Sequence, residues 1–264
     1  MRFQLIFFIL LLLSSASQAS SSKKIISVNF CSDIILLHLA DEFHQLSVTY
    51  LIQQMDNYVD IPNATQFNRG LLEEIVIFKP DIILAHTFTN QLTQQRLQQL
   101  GWSVVQLQAA QNINNIYQNI LRVGKAIERE EKAQQLVKQM KIKLQAIPTL
   151  QQQRVLIFYP NGFTAGQNSL ANSVISQLNL HNIAKEMNIM FWGKVNLEQI
   201  LQYQPDFIIL SNTNVKTPSL ATRLLQHPVL QNIPHIEVNN YLWQCGTPLI
   251  LQTMQHISEK LRDI

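Results

Sequence analysis

Apolar positions along the chain fall into two kinds of run. Unbroken blocks at residues 82–85 (Ile-Ile-Leu-Ala) and 207–210 (Phe-Ile-Ile-Leu) have the length and continuity of strands covered on both faces in a parallel sheet. Strand-like openings at 24–30 and 154–159, and further strands near 103–107, 182–184 and 236–238, alternate with segments of helical period. Helices are predicted over 34–40, capped by Ser32 or Asp33, over 90–100, over 170–178 after Ser169, and over 249–262. This alternation predicts an α/β architecture. Between residues 112 and 146 there is no proline, and Ile113, Ile116, Ile120, Val123, Ile127, Leu136, Met140 and Leu144 keep helical spacing. The segment predicts one helix of about 33 residues, roughly 50 Å long, ending at Ile147-Pro148.

The pattern also repeats. Residues 72–84, Leu-Glu-Glu-Ile-Val-Ile-Phe-Lys-Pro-Asp-Ile-Ile-Leu, return without a gap at 197–209 as Leu-Glu-Gln-Ile-Leu-Gln-Tyr-Gln-Pro-Asp-Phe-Ile-Ile, so that Glu73 matches Glu198 and Pro80 matches Pro205 at a constant offset of 125 residues. Each copy predicts a short helix, a Pro-Asp break and a buried strand. Proline lacks the amide hydrogen and restricts the residue before it, which ends the helix. Two related lobes follow from a repeat of this length.

The first residues change what the rest means. Arg2, the apolar run from Phe3 to Leu13 broken only by Gln4, and the small residues Ser17-Gln18-Ala19 predict a cleavable secretory signal over 1–19, and the run is too short to span a bilayer. An exported chain gives Cys31 and Cys245, its two cysteines, two readings: a disulfide or two separate buried thiols. The 264 residues, with 20 Lys+Arg against 17 Asp+Glu, carry a net charge of +3 without a basic run, which argues against a nucleic-acid partner.

Residues 25–33 (Ile-Ile-Ser-Val-Asn-Phe-Cys-Ser-Asp), Lys79-Pro80-Asp81-Ile82-Ile83-Leu84 with its second copy, Leu100-Gly101-Trp102-Ser103-Val104, and Tyr159-Pro160-Asn161-Gly162-Phe163-Thr164-Ala165-Gly166 carry a resemblance over the mature chain. In their order and spacing they resemble the periplasmic substrate-binding proteins of iron-chelate and cobalamin ABC importers. The resemblance implies two Rossmann-like lobes, 20–111 and 148–264, joined by a single long helix over 112–147. It implies a monomer without cofactor, a cleft that closes only slightly on a bulky chelate or corrinoid, and delivery to an inner-membrane permease with its ATPase subunits. The implied cleft loops, at the carboxyl ends of the strands, are 30–33, 86–90, 160–168, 211–216 and 242–248. They and nearby segments offer Cys31, Tyr50, Arg69, His86, Phe88, Tyr159, Phe163, Trp192, Trp243 and Cys245 as ligand-binding candidates. Broad aromatic faces with few cations (Arg69, Lys194 and Lys216) favour cobalamin or a near-neutral hydroxamate over an anionic catecholate. The alternative for each aromatic is a place in the core. Glu73 and Glu198 match the family's permease-docking glutamates; the alternative is that each only complements a helix N-terminus.

Other classes fit less well. Zinc or manganese capture needs converging ligands; His86 sits well for one, just past a strand, but His38, His44, His181, His227, His235 and His256 show no clustered spacing. Haem would want an axial tyrosine such as Tyr50 or Tyr58. An exported α/β enzyme would need a motif, and Asn161-Gly162-Phe163-Thr164-Ala165-Gly166 lacks the Gly-Lys-Ser/Thr ending of a phosphate loop.

Overall fold

The unbroken apolar blocks each feed two cores at once. In the computed structural model, which describes residues 22–212 and 223–262, β1 (Lys24–Ser27) sends Ile25 to a large central core and Ile26 to a smaller one on the outer face of its sheet. The same alternation recurs in β4 (Ile82–His86), β6 (Arg154–Phe158) and β10 (Phe207–Asn212). Leu84, Val155, Ile157 and Ile209 point to the central core, whereas Ile83, Leu156, Phe158 and Ile208 point outward. A strand sandwiched this way has no polar face to show.

The N-terminal lobe is a five-stranded parallel sheet in the order β3-β2-β1-β4-β5, with β2 at Gln45–Thr49, β3 at Gln66–Asn68 and β5 at Val104–Leu107. Its helices are α1 (Phe30–Leu39), α2 (Leu72–Phe78) and α3 (Gln91–Gln99). The C-terminal lobe orders its sheet β11-β10-β6-β7-β9, with β8 (His181–Asn182) also on β6. Here β7 (Phe163–Ala165) and β9 (Trp192–Lys194) run antiparallel to their neighbours, and β11 (His235–Asn239) is parallel to β10. Its helices are α6 (Leu170–Gln177), α7 (Leu197–Tyr203), α8 (Pro228–Gln231), α9 (Asn240–Trp243) and α10 (Ile250–Arg262). No helix among the described residues is long and apolar enough to cross a membrane. The expected signal over 1–19 and the loop position Lys216 lie outside the described residues.

The repeat builds the same unit twice. In each copy the residue before proline, Lys79 or Gln204, takes a left-handed conformation and returns its N–H to the helix (Ile75 and Ile200 carbonyls). The aspartate after proline then accepts the first amide of the neighbouring strand: Lys24 N–H to Asp81 Oδ2 at 2.8 Å, and Arg154 N–H to Asp206 Oδ2 at 2.6 Å. Pro-Asp therefore stops a helix and pins two strands together. The isoleucine in the middle of each helix, Ile75 or Ile200, is fully buried against its sheet.

Three expectations need correction. The opening strand ends at Ser27, and α1 begins at Phe30, because the Asn29 side chain, not Ser32 or Asp33, caps it by accepting the Cys31 N–H at 2.9 Å. The four strands β2, β3, β7 and β9 were not expected. The helical stretch over 112–146 is two helices, α4 (Ile113–Ala126) and α5 (Glu130–Ala146), folded back on each other. Glu128 is left-handed at φ 59°, the Arg129 N–H reaches the Gly124 carbonyl at 2.6 Å, and Lys141 lies 5.4 Å over the Tyr117 ring. A Cβ on Gly124 would stand 2.3 Å from that of Ala133, so only glycine lets the helices meet there. The lobes are still joined through a helix, α5: in its first turn Lys132 donates to the Ala40 carbonyl, and just past its end the Pro148 carbonyl accepts from the Ser258 hydroxyl.

Candidate functional site

Residues at or just past the carboxyl ends of β4, β5 and β6 meet where the lobes join, and the central core is shared by the two lobes. The junction is also covalent. Cys31, in the first turn of α1, and Cys245, just after α9, are joined by a disulfide with Cα atoms 5.0 Å apart, and beside it Phe30 meets Tyr241 edge to face at 5.4 Å. Cys31 and Cys245 thus tie one lobe to the other across the base of the cleft.

Above that tie lies a cavity of about 200 Å³ lined from both lobes. The N-terminal lobe supplies His86 and Phe88, at the end of β4, and residues 109–111 after β5. The C-terminal lobe supplies Tyr159, 168–171 at the start of α6, Phe191, Trp192, Trp243, Gln244 and Cys245. No Lys, Arg, Asp or Glu is among these residues. A larger cavity of about 630 Å³ between α5 and α10 is lined by no Phe, Tyr or Trp and by none of the cleft candidates.

The aromatic wall is graded from fixed to free. Trp243 is fully buried and donates its indole N–H to Ser211 Oγ at 3.2 Å. Tyr159 stacks on it with centroids 6.3 Å apart, and Trp192 meets Tyr159 edge to face at 5.0 Å while remaining 57% exposed. Burial pushes the Tyr159 phenol above its ordinary range, so it stays a neutral hydroxyl. Trp192 is brought here by β9 and by the 189–191 backbone, which accepts the amides of Gly166, Gln167 and Asn168. A Cβ on Gly166 would sit 2.2 Å from the Ile189 carbonyl oxygen, so this approach requires glycine.

His86 forms the polar point of the opposite wall. Its ring packs on Phe88 at 5.0 Å, Nδ1 accepts the Phe88 N–H at 3.3 Å, and Nε2 is buried without a protein partner. Burial lowers its pKa to about 4, so the ring is neutral at physiological pH.

The other candidates fall elsewhere. Tyr50 and Phe67 stack at 5.7 Å with the Arg69 guanidinium 5.4 Å over Tyr50, forming a separate corner at the ends of β2 and β3. Phe163, at the exposed start of β7, is outside the cavity lining and carries Lys194 over its ring at 5.0 Å. Glu73 and Glu198 are both exposed, on the first turns of α2 and α7. Sequence reasoning missed 109–111, which follow the end of β5, the kind of position that marked the other loops; Phe191 was expected beside Trp192 as a candidate from a connecting segment. Among the described residues no group of three His, Cys, Asp or Glu converges to hold a metal.

Curated relatives and solved structures agree with this architecture. A lipoprotein of Bacillus subtilis described as an uncharacterized ABC transporter substrate-binding lipoprotein is 27% identical over 165 residues, 58% of this chain and 52% of that protein. A cobalamin-binding protein of Halobacterium salinarum is 25% identical over 161 residues, covering 58% of this chain and 44% of that one. The chain thus matches about half the length of these curated relatives. The fold is that of the periplasmic heme-binding protein RhuT from Roseiflexus (TM-score 0.75, 17% identity, 92% of this chain and 98% of that one) and of FhuD2 from Staphylococcus aureus (TM-score 0.67, 18% identity, 91% and 98%). The family model for periplasmic binding proteins matches residues 25–240, and the chain belongs to that family.

Proposed function

We propose that this chain is the exported substrate-binding component of an ABC importer, taking a bulky, near-neutral corrinoid or ferric chelate between its lobes, with cobalamin the preferred reading. The observation that carries it is the cavity at the lobe junction, walled by Phe88, Tyr159, Phe191, Trp192 and Trp243 and free of charged side chains among the described residues. A ring system with polar edges suits such a wall, whereas a tris-catecholate would leave its charge unbalanced. At about 200 Å³ the cavity admits one edge of so large a ligand. The exposed faces of Phe88, Phe191 and Trp192 stand ready to cover the rest. The 25% identity with a cobalamin-binding protein supports the same choice.

Delivery follows from the repeat. Glu73 and Glu198 sit at matching exposed positions, one per lobe, each followed three residues on by an exposed apolar side chain, Val76 or Leu201. They offer a paired acidic surface to cationic side chains of a permease. A role in binding alone is supported by the cavity's side chains: Cys245 is bonded to Cys31, and the Ser169 hydroxyl donates to the Gly166 carbonyl at 2.6 Å.

Calorimetric titration of the mature protein with cyanocobalamin, a ferric trihydroxamate, hemin and a ferric tris-catecholate tests this reading. One-to-one binding of cyanocobalamin, with none of the catecholate, is expected. Tight binding of the catecholate would overturn it. Replacing Glu73 and Glu198 together by Ala is expected to abolish uptake in cells while leaving binding intact, and normal uptake would remove the docking surface from the account.

A further inference from the structure

Among the residues lining the cavity, His86 alone has a buried side-chain polar atom without a hydrogen-bond partner in the protein. Its imidazole is 1% exposed, lines the cavity between the lobes, and presents an Nε2 with no hydrogen-bond partner. Buried polar atoms are nearly always paired, so an orphan at the edge of a binding cavity marks a place for a ligand atom.

Which kind of atom depends on where the ring carries its proton, and the surrounding backbone fixes that. The His86 N–H is held by Thr89 Oγ1 at 2.9 Å, and Gln94 donates its side-chain amide to the Thr89 carbonyl at 3.0 Å, so the tight turn after β4 is locked from two sides. That turn delivers the Phe88 N–H to Nδ1 at 3.3 Å while the Phe88 ring lies against the imidazole. An amide N–H can only donate, so Nδ1 must offer its lone pair. In a neutral imidazole the proton then resides on Nε2. The ring is neutral because burial disfavours its charged form and no carboxylate lines the cavity to restore it. Of the other groups lining the cavity only the Tyr159 hydroxyl titrates, and its range lies far above neutrality.

Resting on the reading of the cleft as a site for a corrinoid or chelate, we propose that His86 recognises the ligand by donating Nε2–H to an uncharged oxygen acceptor, such as an amide carbonyl, and does not coordinate the ligand's metal. Coordination through Nε2 would require the proton to move to Nδ1 and the Phe88 bond to break. Coordination through Nδ1 would require displacing the Phe88 amide. A corrin periphery bearing carboxamides, or a hydroxamate backbone bearing amides, presents the acceptor; a bare planar iron centre seeking an axial nitrogen does not.

Two measurements test this, and they fail independently of each other. The first uses the ligand-free protein labelled with 15N at histidine. Long-range proton–nitrogen correlation is expected to show the His86 ring, identified by its loss in His86→Gln, as the Nε2–H tautomer from pH 5.5 to 8. An Nδ1–H tautomer, or a ring that protonates within that range, would overturn the proposal whatever the ligand is. The second compares cyanocobalamin affinity of the wild type, His86→Gln and His86→Phe. Phe is expected to weaken binding about 5- to 20-fold, the scale of one lost hydrogen bond into a buried site, and Gln, which keeps an N–H donor, to stay within about threefold of wild type. Equal affinity of all three would overturn the donor role while leaving the cleft reading standing. With hemin as probe, an imidazole-ligated iron spectrum that disappears in His86→Gln would likewise overturn it. No binding of cyanocobalamin to the wild type, with the Nε2–H tautomer observed, would instead count against the corrinoid reading alone.

Discussion

The two lobes share one structural unit and differ in almost everything that touches the cleft. In both, a seven-residue helix ends on a left-handed residue before proline, and an aspartate then accepts the first amide of the adjacent strand. That unit is scaffold. Around it the N-terminal lobe is wholly parallel, whereas the C-terminal lobe inserts the antiparallel strands β7 and β9 and the short helix α9. These additions carry Trp192 and Trp243, which with Tyr159 form the aromatic wall, while the parallel lobe offers His86 and Phe88. Duplication accounts for the frame, and departure from it accounts for the site.

The comparison can be broken first at the covalent tie. Cys31→Ser with Cys245→Ser, or reduction, removes the link that joins the lobes through two cysteines 214 residues apart in sequence. Thermal unfolding followed by circular dichroism is expected to show a loss of about 2–5 kcal/mol, on the order of 5–15 °C. An unchanged transition would mean that the shared apolar core alone sets the relation of the lobes.

The lobes should next differ in pH response. Asp33, in α1, is fully buried, and burial raises its pKa to about 8 despite hydrogen bonds from Ser27 and Thr49. The C-terminal lobe buries no carboxylate among its described residues. The unfolded chain releases this proton near 4. Between the two values the unfolded state therefore binds fewer protons, and stability falls as pH rises. Neutral burial of His86 gives the opposite slope below its ordinary pKa of 6.5, so the clean window is pH 6.5 to 8. Melting temperature should decline across it in the wild type and stay level in Asp33→Asn.

A smaller and symmetrical effect tests the shared unit. Asp81→Ala and Asp206→Ala each remove an exposed carboxylate from a backbone amide, and each should cost about 1 kcal/mol in denaturant unfolding. Costs differing by more than twofold would show that the two copies do not do the same work. Smallest of all is the difference at the helix starts. Asn196 caps α7 in a reciprocal box with Gln199, whereas Leu71 gives α2 no side-chain cap. Asn196→Ala should cost about 1 kcal/mol, and Leu71→Asn should add about 0.5–1 kcal/mol, bringing the lobes closer together.

What sequence revealed follows the same division. The duplicated unit was readable because it rests on local signals: a proline that ends a helix, an aspartate beside it, and an apolar run too continuous for a half-exposed strand. Tyr159, Trp243, His86 and Phe88 could be placed at the cleft because strand ends mark it, and Trp192 as a neighbour from a connecting segment. The strands β7 and β9 were invisible because three residues carry no period, and their pairing joins Phe163–Ala165 to segments about 30 residues away. For that reason Phe163 was expected in the cleft, although at the exposed start of β7 it lies outside the cavity lining. The hairpin of α4 and α5 was hidden differently. Apolar spacing continues through the turn, and the close approach at Gly124 and the left-handed Glu128 are tertiary demands that periodicity does not register.

The central claim is that the ligand is held against the aromatic wall of the C-terminal lobe. Tryptophan fluorescence of the mature protein titrated with cyanocobalamin, corrected for ligand absorbance, tests it most directly when repeated in Trp192→Phe, Trp243→Phe and Trp102→Phe. Trp102 packs against the outer core of the N-terminal lobe, away from the cleft. Saturable one-to-one quenching that persists in Trp102→Phe and falls by about half or more on losing Trp192 or Trp243, which meet Tyr159 at 5.0 and 6.3 Å, is the expected result. Saturable quenching that survives both cleft substitutions and vanishes with Trp102 would contradict it.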